Sequence, residues 1–294
     1  MQYSISILAP FETDSFSSNL FEQVTPLLTR LESDYYNTQL KVTIDQSIVA
    51  VAVSWSNPFH PHAKYFRIYL DDSVKESNAL KNQLLESLET SPTSTADRFI
   101  CALMSNQTSM IRTLESNHYE LIRKTYESEW TLDQCLNKLS ISAHTNTLSY
   151  KDVFQDAQLK NQLITLLKQN YENTHLVNPT ADMTLHEWES FLLNEEPDLE
   201  LSLVALDDHG ITAYVTVFQS ETRVEVAWLG MREAYPTSFL SLKCLFKTQL
   251  FLFKQREINL IEPEIDTTDH FALGLFSFID YLEEESFQTY RKFI

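Results

Sequence analysis

Glycine is almost absent from this sequence. The 294 residues include three glycines, Gly210, Gly230 and Gly274, whereas an average protein carries roughly 7% glycine. Glycine supplies the positive-φ turns and the close backbone approach that phosphate-binding loops normally use. The sequence contains neither a Walker-type phosphate loop nor a GxGxxG dinucleotide fingerprint, and this excludes the nucleotide-binding classes that depend on them.

Basic residues are also scarce. Lysine and arginine together number 22 against 41 aspartates and glutamates, a formal net charge of −19 at pH 7. An acidic surface of this size repels phosphate backbones and anionic membranes, so neither nucleic acid nor a membrane is expected as a partner. It favours cationic substrates or partners, although solubility alone also explains many acidic chains.

Cysteines and long apolar runs are few. Cys101, Cys135 and Cys244 are widely spaced and odd in number, which argues against a disulfide framework and suits a reducing cytoplasm. The first residues show no basic leader before an apolar stretch. The strand-like run Ile48–Trp55 is far shorter than the ~20 residues that span a membrane. We therefore expect a cytoplasmic protein, and no residue cluster has the spacing of a metal site.

The hydrophobic residues, 43% of the chain, follow strand and helix periods in a recurring order. The predicted helices are Phe16–Leu31, Val74–Leu88, Thr108–Glu115, Trp130–Leu139, Val153–Asn173, Leu185–Leu193, Ser238–Lys254 and Phe271–Phe278. The predicted strands are Leu40–Ile44, Ile48–Trp55, Tyr65–Leu70, Arg98–Leu103, Tyr119–Tyr126, Leu201–Leu206, Ile211–Phe218, Val224–Met231, Leu260–Ile265 and Ser286–Arg291. This order predicts an α/β fold, a mixed sheet with helices on both faces.

The second half of the chain repeats the element order of the first. A constant shift of 162 residues carries Tyr119 onto Tyr281 and Leu114 onto Phe276, with the strand–turn–helix pattern in phase. The polar stretch between the halves has the composition of a linker. We expect an N-terminal domain over residues 1–126, a linker over 127–150 and a C-terminal domain over 151–294.

Three short motifs support a family resemblance. Arg112–Tyr126 resembles a helix, turn and strand usually written R-x-L-E-x-N-G-F, with His118 at the glycine and Tyr119 at the phenylalanine. Asp266–Tyr281 resembles a strand that ends in aspartate and is followed by N-x-x-A and Y-x-x-x-G-F. Trp228–Met231 resembles the strand end W-T-G-V. The chain is similar to the GNAT (N-acetyltransferase) superfamily in its tandem form, which implies two acyl-CoA N-acyltransferase-like domains.

The resemblance implies an acetyl-CoA cleft where two parallel strands separate in the C-terminal domain. Pantetheine would lie along the end of one strand, and the pyrophosphate would bind at the N-terminus of the next helix, where free amides and the helix dipole favour anions. The implied cofactor-binding positions are Leu229, Gly230, Met231, Thr237, Ser238, Asp269 and Phe276.

The sequence also departs from the family. Tyr235–Lys243 lacks the glycines and the arginine of the pyrophosphate loop, and Thr237 or Ser238 could cap the helix instead of binding phosphate. Phe276 stands where the family has a tyrosine that protonates the thiolate. The matching loop of the first half carries Asp71 and Asp72, which would repel a pyrophosphate, so we expect that domain to be non-catalytic.

Glu225 is the candidate catalytic residue. A strand glutamate whose pKa is raised by burial could take the proton from an ammonium group, although a solvent-facing glutamate would have the same sequence pattern. Two functions remain open. One is an N-acetyltransferase that transfers the acetyl group of acetyl-CoA to a small amine or to a peptide (N-terminal) amine. The other is a non-catalytic GNAT-fold binding or assembly protein that has lost acetyl-CoA binding. Either could form a homodimer.

Overall fold

The computed structural model describes residues 3–9, 15–91, 96–142, 145–235, 238–282 and 285–294. The chain forms two compact units. The first contains Met1–Ile122 together with Phe287–Ile294, and the second contains Arg123–Ser286. Elements are numbered in chain order.

The first unit is built around a mixed sheet. Its elements are β1 (Ser4–Ile7), α1 (Ser18–Val24), α2 (Leu28–Leu31), β2 (Thr38–Ile44), β3 (Ser47–Asn57), β4 (His60–Leu70), α3 (Asn78–Glu89), β5 (Arg98–Met104), α4 (Thr108–Ser116) and β13 (Phe287–Phe293). The sheet order is β1-β2-β3-β4-β5-β13, in which β4 and β5 run parallel. The other neighbouring pairs are antiparallel.

Helices cover both faces of this sheet. Leu84 of α3 and Leu114 of α4 pack on one face against residues such as Ala52. Leu20 of α1 packs on the opposite face against residues such as Val51. Because both faces are covered, β3 has a continuous buried run instead of an alternating pattern.

The second unit has the same plan. Its elements are β6 (Glu120–Glu127), which enters from the first unit, β7 (Trp130–Thr131), α5 (Leu132–Lys138), β8 (Asn146–Ser149), α6 (Tyr150–Val153), α7 (Ala157–Thr174), α8 (Leu185–Asn194), β9 (Leu203–Asp207), β10 (Gly210–Ser220), β11 (Arg223–Met231), α9 (Leu240–Gln255), β12 (Leu260–Asp266) and α10 (His270–Leu275). The sheet order is β6-β12-β11-β10-β9-β8, with β7 also on β12. Helices α5, α9 and α10 share one core cluster with the sheet, and α7 packs on β10 and β11.

The internal repeat is confirmed. The shift of 162 residues carries β5 onto β12 along its whole length and the start of α3, Asn78, onto the start of α9, Leu240. It also carries Thr108 at the start of α4 onto His270 at the start of α10. The phase is lost after α10, where a longer connection leads to β13, and also at the start of each half, where the shift does not carry β1 onto β8. The α/β fold with two tandem domains of the same plan is therefore present.

The units do not follow the expected boundaries. Residues 127–150 were expected to be a linker, but they supply β7, α5 and β8 to the second unit. The last predicted strand was expected to complete the C-terminal domain, but β13 pairs with β5 of the first unit from Phe287↔Met104 to Phe293↔Arg98. The helix inside this stretch was predicted, over Trp130–Leu139, but the polar composition did not show that it packs into the second unit. Strand periodicity likewise does not reveal which sheet a strand will join.

Several predicted ends shift for local reasons. The helix predicted from Val74 begins at Asn78, because the Ser77 side chain accepts a hydrogen bond from the Leu80 amide and caps it there. The helix predicted over Phe16–Leu31 is split by a 3₁₀ turn that contains a proline. Strands β1 and β8 are short edge strands that the periodicity analysis missed.

Two further findings concern the described residues as a whole. No helix among them is both long enough and apolar enough to cross a membrane. No group of three or more histidine, cysteine or carboxylate side chains in this part of the chain is placed to hold a metal ion.

Candidate active site

The parallel strands β11 and β12 separate part-way along their length. Their pairing runs from Arg223↔Leu260 to Val226↔Pro263. Pro263 carries no amide hydrogen and cannot donate to a neighbouring strand. Beyond this point β12 continues along β6, and β11 continues along β10 as far as Met231. The carboxyl ends of the two strands therefore part, as the resemblance predicted.

A β-bulge lies at the point of separation. Val215 of β10 pairs with Leu229, and Val217 pairs with Val226, so β11 carries one extra residue between the two pairs. The bulge reverses the side-chain alternation, and both Val226 and Leu229 consequently face the same core cluster. Glu225 lies on the opposite face, immediately before the bulge.

Five glutamates line one cavity of about 470 Å³ beside this point. Glu225 is in register with Glu262, and Glu264 is in register with Glu127. Paired residues of adjacent strands share a face, and so do residues two apart on one strand. The register thus gathers the acids on one face of the sheet. We call this site the acidic cavity; its glutamates are Glu127, Glu129, Glu225, Glu262 and Glu264.

The predicted base, Glu225, has a raised pKa. The residue as a whole is exposed, but partial burial of its carboxyl group raises its pKa, and the negative charges of Glu127, Glu262 and Glu195 raise it further. Burial and the charge of Asp266 raise the pKa of Glu127 in the same direction. The role of Glu225 as a base stays a prediction.

Glu264 is the most perturbed carboxyl group of the acidic cavity. Its burial raises its pKa to about 7, and the charges of Asp266, Glu225 and Glu127 add to the effect while Arg123 opposes it. A carboxyl group with this pKa can exchange a proton near neutral pH. Sequence reasoning missed this residue, although the alternation of acids in Glu262-Pro263-Glu264-Ile265-Asp266 was visible and is typical of one strand face.

Two arginines provide positive charge nearby. Arg223 lies at the rim, with its guanidinium 3.1 Å from Glu129 and 2.5 Å from Glu262. Arg123 binds Asp266 at 2.9 Å, and the Thr125 hydroxyl donates a second, short hydrogen bond to that carboxylate. Both arginines are thereby engaged with acids other than Glu127, Glu225 and Glu264.

A group of aromatic side chains begins next to Glu225 in the sheet. Phe218 is the β10 partner of Glu225, and its ring lies 6.0 Å from that of Trp228, edge to face. Trp228 stacks on Phe191 of α8 at 5.3 Å and meets Tyr171 of α7 at 6.2 Å. We call these four residues the aromatic wall. All four are partly exposed.

The predicted pantetheine-binding residues lie at the end of β11. Leu229 and Met231 are buried in the core, so only their backbone could meet a ligand. A Cβ on Gly230 would collide with the Asn170 side chain, which donates to the Met231 carbonyl at 3.1 Å. The glycine therefore accommodates Asn170 and makes no cradle for a ligand.

The start of α9 is the predicted pyrophosphate site. The Ser238 hydroxyl accepts a hydrogen bond from the Leu240 amide at 3.2 Å. It lies one residue before the N-cap, Phe239, and its own hydrogen could be donated to an anion. Lys243 lies in the first turn and donates to Ser277 at 2.9 Å. Thr237 lies outside the described residues. These groups offer a hydroxyl, amides and one cation to a phosphate.

Asp269 and Phe276 have structural roles. Asp269 is the N-cap of α10, and its carboxylate accepts from the Phe271 amide at 2.8 Å and the Ala272 amide at 3.2 Å. Burial nevertheless raises its pKa to about 7. Phe276 is fully buried and meets the rings of Trp130 and Phe246 edge to face. We therefore assign Phe276 to the core and not to a cofactor contact.

The loop after β11 is attached to the start of α10. The His270 imidazole is hydrogen-bonded to the Ala234 carbonyl at 2.6 Å and stacks on Tyr235. Further along, a Cβ on Gly274 would collide with the Phe239 ring. The scarce glycine at position 274 thus lets the start of α9 pack closely on α10.

The matching loop of the first unit is arranged differently. Asp71 is buried and accepts hydrogen bonds from the Ser17 hydroxyl at 2.6 Å and the Ser73 amide at 2.8 Å. These bonds hold its pKa below the ordinary value, so the carboxylate is charged at neutral pH. Asp72 forms an ion pair with Lys75.

Similarity to known proteins is found only at the level of structure. No family model matches the sequence, and no curated protein matches it. A GCN5-related N-acetyltransferase from Sphaerobacter thermophilus superposes with a TM-score of 0.65 at 14% identity, over 99% of this chain and 95% of that one.

Two further solved structures agree. A GNAT-family acetyltransferase from Colwellia psychrerythraea gives a TM-score of 0.56 at 8% identity, over 99% of this chain and 100% of its own. A tandem GNAT protein from the clavulanic acid biosynthesis pathway gives a TM-score of 0.53 at 7% identity, over 99% of this chain and 98% of its own. The chain has the tandem GNAT fold.

The motifs that suggested the GNAT fold correspond to real local structure. His118 has a φ of 66°, the left-handed conformation in which glycine is preferred. The Tyr119 amide donates to the Leu114 carbonyl and the His118 amide to the Glu115 carbonyl, which is a Schellman helix end. Trp228–Met231 forms the end of β11, beyond the bulge. The motif positions were therefore informative although their glycine had been replaced.

Proposed function

We propose that this GNAT-fold protein transfers the acetyl group of acetyl-CoA to an amine, in the second unit. The observation that carries the proposal is the acidic cavity at the separation of β11 and β12. One neighbour with this fold is named an N-acetyltransferase and another an acetyltransferase. Transfer of an acetyl group to an amine needs a group that removes a proton from the ammonium before attack. Glu225, with its raised pKa, has this role here.

Acetyl-CoA would lie along the end of β11. One edge of Leu229–Met231 pairs with β10. The opposite edge, which pairs with β12 only as far as Val226, is where pantetheine would bind. The first-turn amides of α9, the Ser238 hydroxyl and the Lys243 ammonium would hold the pyrophosphate. Acetyl-CoA supplies the activated acetyl group, and the protein aligns it with the amine.

The proton balance is as follows. The bound ammonium gives one proton to Glu225 and attacks the thioester as a neutral amine. As the amide forms, the nitrogen loses a second proton. One of the two protons neutralises the CoA thiolate, and the other leaves to solvent. Phe276 carries no ionisable group, so it takes no part in this exchange.

The first unit is assigned a structural role. Its loop presents the charged Asp71 and Asp72 at the position that corresponds to the pyrophosphate site. Two carboxylates close to a pyrophosphate would raise its free energy of binding. One site per chain, in the second unit, follows from the proposal.

The proposal is tested by ligand binding and by turnover. Acetyl-CoA at 100 times its dissociation constant should add about 2.7 kcal/mol to the free energy of unfolding and raise the melting temperature. Ser238→Glu should abolish this shift through repulsion, whereas Ser220→Glu, at an exposed position at the far end of β10, should keep it. No shift at millimolar acetyl-CoA would mean that the chain is a non-catalytic GNAT-fold binding protein.

Turnover isolates the role of Glu225. Glu225→Gln keeps the size and removes the proton acceptor, and it should lower kcat about 10²-fold or more while the acetyl-CoA melting shift persists. An unchanged kcat would assign the proton transfer to another group.

A further inference from the structure

The acidic cavity holds more negative charge than one amine neutralises. Arg223 pairs with Glu129 and Glu262 at the rim, and Arg123 is bound to Asp266. Within the described part of the chain, no hydrogen bond or ion pair engages the carboxyl groups of the remaining three glutamates. These are Glu127, Glu225 and Glu264, and we call them the unpaired acids.

The glutamates of the acidic cavity are not all solvent-exposed side chains, and Glu264 is the example. Its side chain is half-buried, its carboxyl group lines the cavity, and it has no hydrogen-bonding partner among the described side chains. Burying a carboxyl group without a partner is costly, and buried polar groups in folded proteins are generally paired. A ligand that enters the cavity would provide the missing partner.

The chemistry of acetyl transfer limits what that ligand can be. The nitrogen that attacks must be neutral, so it brings no lasting positive charge to the cavity. A simple monoamine would therefore leave Glu127 and Glu264 without a counter-charge at the moment of reaction. A second amino group that stays protonated would supply it.

We propose that the acceptor is an aliphatic diamine, one of whose ammonium groups binds Glu127 and Glu264 while Glu225 takes the proton from the other. This inference rests on the proposed function. Glu225 and Glu264 lie on adjacent parallel strands, with Glu262 in register with Glu225 and two residues before Glu264. The base and the binding pair are thus separate but close.

The surroundings of the acidic cavity fit such a molecule. A cavity of about 470 Å³ is within the usual range for small-molecule sites. The aromatic wall begins at Phe218, directly beside Glu225, and continues to Trp228. An alkyl chain can pack on these rings, and aromatic faces also attract alkylammonium groups.

The experiment compares two amines of equal chain length, 1,4-diaminobutane and butylamine, in acetylation assays with the full-length protein. We expect kcat/KM for the diamine to exceed that for the monoamine by at least about tenfold, which corresponds to about 1.4 kcal/mol. Glu264→Gln should reduce this ratio to near one. Glu22→Gln, which removes the same charge from an exposed position of the first unit, should leave the ratio unchanged.

Binding without acetyl-CoA gives a second readout. The diamine should raise the melting temperature of the wild-type protein at lower concentration than butylamine, and Glu127→Gln should reduce this preference even if Glu264→Gln fails to fold. Equal effects of the two amines, or an equal effect of Mg²⁺ alone, would overturn the inference.

The two proposals fail in different ways. If butylamine and the diamine are acetylated equally, the diamine inference is wrong and the acetyltransferase proposal stands. If the diamine binds in a Glu264-dependent manner but no acetyl transfer occurs, the diamine site stands and the acetyltransferase proposal is wrong.

Discussion

At the scale of single residues, the scarcity of glycine has a structural counterpart. Residues other than glycine occupy left-handed backbone conformations at several turns. In this conformation the Cβ of an L-residue approaches the following carbonyl oxygen, at a cost of roughly 1–2 kcal/mol. Among the described residues, those other than glycine with positive φ are Asp45, Gln46, His118, Glu196, Glu221 and Glu257.

Glycine at a helix end should therefore stabilise the protein. His118 follows α4, is exposed and has a φ of 66°. His118→Gly should raise the free energy of unfolding by about 1 kcal/mol, because glycine has no Cβ to strain this conformation. Urea denaturation of the full-length protein, followed by a probe in the first unit, would measure this change in the free energy of unfolding.

Two controls define the cause. His118→Ala keeps the Cβ and should give no comparable gain. Glu257, with a φ of 57°, ends α9 in the same way, since the Ile258 amide donates to the Phe253 carbonyl; Glu257→Gly should stabilise the second unit. A gain from His118→Ala equal to that from His118→Gly would point to the imidazole and not to the backbone.

Glu264 should make stability depend on pH. Its pKa is about 7 in the folded protein against an ordinary 4.5, so between these values the folded state binds more protons than the unfolded state. Stability should therefore fall as pH rises through this window. The charged groups that set this pKa are Glu127, Glu225, Asp266 and Arg123.

The variant Glu264→Gln tests this dependence. At pH 8 it should be more stable than the wild type by on the order of 1–2 kcal/mol, and at pH 4.5 the difference should vanish. Denaturation at several pH values would measure both. A difference that does not change with pH would show that Glu264 is ionised normally.

At the scale of helices and strands, the sequence was most informative where periodicity and turn residues agreed. The β9–β10 hairpin and the β2–β3 hairpin were both located from their short polar turns. The first residues of helices were predicted less accurately. Apolar residues upstream of the cap continued the helical pattern, so the helix capped by Ser77 was predicted to begin too early. The acidic cavity could not be assembled from sequence, since it depends on the register of β6, β12 and β11.

The start of α10 provides a test at this scale. Asp269→Ala removes the acceptor for two amides and should lower the free energy of unfolding by about 1 kcal/mol. Asp269→Asn keeps a capping oxygen and removes a carboxyl group whose burial raises its pKa to about 7. The asparagine variant should therefore be at least as stable as the wild type at pH 8. If both variants lose equal stability there, the charge itself is required.

At the scale of the whole molecule, the units exchange strands in the order of the chain. β6 follows α4 of the first unit and pairs with β12 of the second, while β13 follows the second unit and pairs with β5 of the first. The sequence predicted both strands but assigned β13 to the wrong sheet. The 162-residue repeat could not show the exchange, because the two halves fall out of phase at this point.

Removal of β13 should damage the first unit selectively. Tyr290 of this strand is 2% exposed within the core of that unit, and Lys292 pairs with Glu89. Deletion of Phe287–Ile294 should lower the melting temperature and the hydrogen-exchange protection of β5 amides. Deletion of Ile294 alone, which is 61% exposed, should have little effect. Undiminished protection of β5 in the longer deletion would contradict the pairing.

The strand exchange also sets an order of events on the ribosome. When Ile122 has been translated, β5 still lacks its neighbour, and Arg123–Ser286 must be added before β13 emerges. At the usual rates of elongation this takes on the order of ten seconds or more. During that interval the nascent first unit presents an open strand edge, which can pair with other chains. The second unit is continuous in sequence, so it is the one that can complete its fold first.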